Sequence, residues 1–235
     1  MHFRVSASRI LTSILATASA LSLPAPALAQ WAEFVSLEDG FTVNFPGAPG
    51  VTETTYTSEY GADLPARVYT VARGDERYSV TVVDYRPIEQ LLTDRAKNCP
   101  PFADERCTGL GAGTVVGAGY WRTDLRGALV WASWQFMQRD AEVTHYMWNF
   151  VDLVEGHQLQ LTNDADRSRT FVAIYMRENR LYIVEGTVPA GYPEPGLFQQ
   201  SLGFVDAAGN RVRYRDYYDN DYPPPALVPR GNVSR

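Results

Sequence analysis

The stretch ARVYTVARGDERYSVTVVDY, Ala66 to Tyr85, decides the class of fold. In its second half Tyr78, Val80 and Val82 alternate with Ser79, Thr81 and Val83, the period-two pattern of a half-buried strand. Gly74 and Asp75 sit at the centre as turn residues, so the two arms read as a hairpin and the strands run antiparallel. The pattern continues upstream, where AEFVS (Ala32 to Ser36) and FTVNF (Phe41 to Phe45) flank the turn LEDG, and PGAPG follows. The first third of the chain is therefore expected to be antiparallel sheet.

Downstream, Pro87 opens PIEQLLTDRAK, with proline at a first helical position and Ile88, Leu91, Leu92 and Arg95 spaced for one helical face. A glycine-rich crossover is expected from there to about Tyr120. Five segments dense in β-branched and aromatic residues then predict strands: ALVWASWQFMQR from Ala128, VTHYMWNFVDLV from Val143, HQLQLTN from His157, RTFVAIYMR from Arg169 and RLYIVEGTV from Arg180. The two tryptophan-bearing segments are the longest and most apolar, which places them at the centre of the sheet. PEPGLFQQSLGF (Pro193 to Phe204) predicts a second short helix stopped by Gly203, and RVRY (Arg211 to Tyr214) a last strand. The expected class is α+β, a mainly antiparallel β-sheet with a few short helices packed on it.

The first 29 residues have the layout of a signal peptide. Arg4 and Arg9 precede an apolar run from Ile10 to Leu23, and Ala27-Leu28-Ala29 supplies a cleavage site. The run is shorter than the ~20 residues a bilayer span requires. Residues 30–214 read as a single α+β domain. Residues 215–235, RDYYDNDYPPPALVPRGNVSR, lack periodicity and read as a disordered Tyr/Pro-rich tail. Removing the leader takes two of the 21 basic residues and leaves the 27 acids untouched. That balance argues against nucleic acid, and no membrane span is expected in the mature chain. The expected location is periplasmic or secreted.

The only two cysteines, Cys99 and Cys107, lie in NCPPFADERCTGLGAGTVVG, from Asn98. In an exported chain they are expected to bond to each other, and closing so short a loop stabilises by about 2.5 kcal/mol in the chain-entropy model. Their spacing is not the C-x-x-C of a redox dithiol. The glycines that follow lack the strand, the helix and the ribose-binding acid of a dinucleotide loop. No metal site is expected, because His145 and His157 fall in different segments without a paired ligand. NDAD at Asn163 reads as a turn rather than a calcium loop. No catalytic set and no cofactor are expected.

Aromatic residues remain as candidates. Read as strands, the tryptophan segments alternate aromatic and smaller residues, so that Trp131, Trp134, Tyr146 and Trp148 offer a candidate binding surface wherever helices leave the sheet uncovered. Glu185 is an acid inside an apolar strand, read as a solvated edge position.

Two motifs carry a resemblance. GFTVNFPGAP (Gly40 to Pro49) resembles the opening of exported proteins in the PsbP-like α/β/α sandwich group. RLYIVEGTVPAGYPEPGLFQQSLGF (Arg180 to Phe204) resembles the closing strand, proline loop and helix of a family of exported alphaproteobacterial proteins without assigned function. The resemblance implies a mainly antiparallel sheet with packed helices and an accessory or protein-binding role; it transfers no functional residue. The function expected is that of an exported non-catalytic accessory or binding protein of the cell envelope, with a protein partner or small ligand. Two alternatives stand beside it: an envelope hydrolase using Glu185 with His145 or His157, and a purely structural envelope protein.

Overall fold

The computed structural model describes residues 31–103, 105–108 and 120–220. The signal peptide, most of the glycine-rich crossover and the end of the chain lie outside them. The opening hairpin is present as β4 (Asp63–Arg73) and β5 (Glu76–Asp84), closed by Gly74 at a φ of 59°. A left-handed residue at that point suits glycine, which lacks the Cβ that penalises positive φ.

Around this hairpin the chain builds one seven-stranded antiparallel sheet. β3 (Gly50–Thr57), β4 and β5 form a meander at one side. β6 (Ala141–Val151), β7 (Val154–Asn163), β8 (Arg169–Arg177) and β9 (Arg180–Val188) form a second meander. The two meanders join where β5 pairs with β9, giving the order β3-β4-β5-β9-β8-β7-β6. A smaller sheet pairs β1 (Ala32–Ser36), β2 (Phe41–Phe45) and β10 (Gly203–Phe204).

The alternation read from the sequence assigns the faces. Tyr78, Val80, Val82, Tyr182 and Val184 point to the smaller sheet and meet Phe41, Phe45 and Phe198, the last from α4 (Gly196–Gln199). Val83, Leu181, Ile183, Val172 and Ile174 point the other way, to a helical layer of α1 (Ile88–Lys97) and α3 (Trp121–Met137). Each fully buried aliphatic or aromatic side chain contributes about 1.5–3 kcal/mol, so both interfaces hold the sheet. The turn before β2 is tied down by Asp39, whose carboxylate takes two hydrogen bonds from Arg67 at 2.9 and 2.7 Å and one from the Tyr69 hydroxyl at 2.6 Å. The α+β class with a mainly antiparallel sheet is the observed one.

Five local expectations are corrected. Ala128–Arg139 is not a strand: through Met137 it is the C-terminal half of α3, whose buried stripe is Leu125, Ala128, Ala132 and Phe136. The i, i+3, i+7, i+11 spacing of those residues is helical, and Val130 and Trp134 on the outer side mask it by making the segment apolar all round. The other tryptophan segment, β6, is not central but the edge strand of the sheet. RVRY forms isolated bridges, one of them between Arg211 and Val205, and no strand, and Gly203 pairs in β10 instead of stopping a helix. The folded body also runs past residue 214, because Tyr218 is buried, bridges Val154 and accepts the Glu178 amide on its hydroxyl at 2.7 Å.

Candidate binding surface

Cys99 and Cys107 form the expected disulfide, with Cα atoms 5.9 Å apart, and link the end of α1 to the short helix α2 (Glu105–Thr108). The four aromatic residues singled out from the sequence do not form one surface. Trp131 and Trp134 stack on α3 at 4.9 Å between centroids, and the Trp131 indole donates to the Thr57 carbonyl at the β3 edge. Tyr146 and Trp148 lie on β6, the opposite edge of the same sheet.

Beside Trp148 stand Phe150, which shares its face in the sequence pattern, and Tyr217, which that pattern does not reach. Tyr146, Trp148 and Phe150 alternate along β6 and point to the helical side, because they pair with Leu159, His157 and Glu155 of β7. Tyr217 closes the group from the C-terminal segment. Its ring lies 5.9 Å from Trp148 and 6.0 Å from Phe150, which are themselves 5.3 Å apart. All three rings are about half exposed, at 47, 47 and 50 per cent. Contacts of this length between exposed rings form a contiguous apolar patch, which is the informative kind.

The patch borders a cavity of about 430 Å³ between α3, the sheet and the C-terminal segment. Leu125, Leu129 and Met176 give it apolar walls, while Arg126, Glu155 and Asp219 carry its charges. Tyr217 belongs to both the cavity and the ring cluster. The segment is held by Asn220, which donates to the Asn179 side chain at 2.8 Å and accepts the Asn179 amide at 3.0 Å. Period two from Trp148 was sufficient to reach Phe150. Tyr217 and Glu155 could not be reached this way, since only the folded chain brings residue 217 to residue 148.

The residues considered for acid-base chemistry are not assembled. Glu185 is not at an edge; it lies on central β9 and pairs with Arg139 at 2.6 Å. His145 pairs with Gln160 and so faces away from the helical layer, on the opposite side of the sheet from Glu185. His157 shares the face of Glu185 but lies two strands away, with buried Val172 and Ile174 between them. Burial holds its imidazole below the ordinary value, opposed in part by the Leu129 backbone.

His157 makes the one contact that resembles a nucleophile and base, 2.8 Å from the Ser133 hydroxyl. Ser133 donates to the Leu129 carbonyl at 2.8 Å and is buried under α3, so its oxygen accepts from His157 and meets no substrate. Tyr146 stands over the same ring, its hydroxyl 3.2 Å from Nδ1. Among the described residues no group of three or more His, Cys, Asp or Glu side chains is placed to hold a metal ion. No helix among them is long and apolar enough to cross a membrane.

No protein-family model matches the chain, and no curated protein matches it. Among solved structures, the chain is similar to the cyanobacterial PsbP of Synechocystis sp. PCC 6803, in solution, with 11% identity and a TM-score of 0.41. The match covers 78% of this chain and 98% of that one.

Proposed function

We propose that this protein is an exported, non-catalytic binding module of the cell envelope, and that Trp148, Phe150 and Tyr217 with the adjoining cavity are its contact site. The observation that carries this reading is the cluster of three touching, half-exposed rings at the mouth of a cavity of ligand size. Aromatic residues left in water on a rigid strand gain most when a partner covers them. The amino-terminal signal layout and the Cys99–Cys107 bond support a periplasmic or secreted location.

The experiment compares wild type with Trp148→Ala and Tyr217→Ala. Cell fractionation should recover the protein outside the cytoplasm. Crosslinking there, followed by mass spectrometry, should give an adduct that both variants lose while melting like the wild type. Adducts unchanged in both variants would move the contact site elsewhere.

A further inference from the structure

We infer that the cavity beside the ring cluster takes a small organic cation, of the quaternary or methylated ammonium class. This rests on the binding-module reading and adds the chemistry of the ligand. Glu155 sits directly across from Phe150 in the β6–β7 register, which puts their Cβ atoms ~5 Å apart. Its carboxylate lines the cavity with Tyr217, and among the described residues it takes part in no ion pair and no side-chain hydrogen bond. A second carboxylate, Asp219, and one guanidinium, Arg126, complete the charged wall, so carboxylates outnumber cations there.

Three classes of ligand can be weighed against that wall. A neutral apolar ligand filling the space would displace water from the exposed Glu155 carboxylate without supplying a counter-charge. A hard metal ion needs several oxygen ligands converging on one point, and among the described residues no group of three or more His, Cys, Asp or Glu side chains does so. An ammonium bearing methyl groups meets both requirements. Its charge faces Glu155 and the ring of Tyr217, which Trp148 and Phe150 flank at 5.9 and 6.0 Å, and its methyl groups rest on Leu125, Leu129 and Met176. The volume of about 430 Å³ is that of a small-molecule site.

The test titrates the full chain with choline, with tetramethylammonium and with dimethylbutanol, the uncharged carbon isostere of choline, following tryptophan fluorescence and heat. Both cations should saturate, with the isostere roughly tenfold or more weaker. Glu155→Gln should weaken choline roughly tenfold, Tyr217→Ala should abolish saturation, and Trp148→Ala should weaken it severalfold, an effect that Trp148→Phe should largely avoid. Phosphatidylcholine vesicles that bind, and are displaced by free choline, would assign the ammonium to a lipid headgroup; vesicles that do not bind leave it a free solute. Equal binding of the isostere, indifference to Glu155→Gln, or no saturation by either cation would overturn the inference. If the cations fail while the envelope adduct is still lost in Trp148→Ala, the binding-module reading survives without this ligand. If Trp148→Ala changes neither, both fall.

Discussion

Asp124 is fully buried in the first turns of α3, where it accepts the Ser58 hydroxyl at 2.5 Å. Its other oxygen, Oδ1, is buried without a hydrogen-bond partner. Burial raises its pKa from 3.8 to about 6, against the Ser58 and Tyr60 hydrogen bonds and with Glu59 adding repulsion. Between those values the folded chain holds a proton that the unfolded chain has released. Stability therefore falls as pH rises through the window and is regained on acidification. Lowering pH from 7 to 5 should recover about 1 kcal/mol from this group, or about 3 °C in Tm. Asp124→Asn should remove that share of the pH dependence, so a thermal series in which the variant and wild type respond alike would exclude the assignment. Nothing in the sequence marked this residue, because its burial depends on the start of α3 meeting the turn at Ser58 and Tyr60 that joins β3 to β4.

At the scale of elements, the strands were legible and the long helix was not. The period-two pattern of Tyr78 to Val83 survives because one face meets Phe41 and Phe45 and the other meets α1, so neither face had to be polar. The same density of apolar residues misled over Ala128–Arg139, where Trp134 and Val130 face water and hide the helical stripe. β3 was missed for the opposite reason: GVTETTYT is mostly exposed threonine and glutamate, which suits an edge strand but carries no apolar signal. For the candidate site, β6 and Trp148 were visible in the sequence, while Tyr217 and Glu155 required the tertiary fold. One pairing is unusually tight. A Cβ on Gly156 would lie 2.1 Å from the Ile174 carbonyl and 2.4 Å from the Tyr175 ring, so β7 and β8 can approach only if that residue has no side chain. Gly156→Ala should therefore cost about 2 kcal/mol, read as a lower urea midpoint; an unchanged midpoint would show that the two strands separate without penalty.

For the molecule as a whole, the C-terminal segment fastens the layers at one end of the sheet. Tyr214 accepts Arg177 on its hydroxyl at 2.8 Å, Tyr218 takes the Glu178 amide, and Asn220 clamps Asn179. A chain ending after Tyr214 should melt below one ending after Asn220, by the equivalent of about 3 kcal/mol for the lost Tyr218 burial. It should also lose ligand binding, since Tyr217 and Asp219 leave with the segment. Equal melting of the two truncations would return the domain boundary to residue 214. Finally, the indoles of Trp131 and Trp134 lie nearly parallel, at 17°, with one of them anchored to β3. Two chromophores so close and fixed in a chiral frame couple their transitions, and the folded protein should show an exciton couplet in circular dichroism. Trp134→Phe would erase that couplet and leave the helical bands in place, so light alone would report whether α3 has reached its seat.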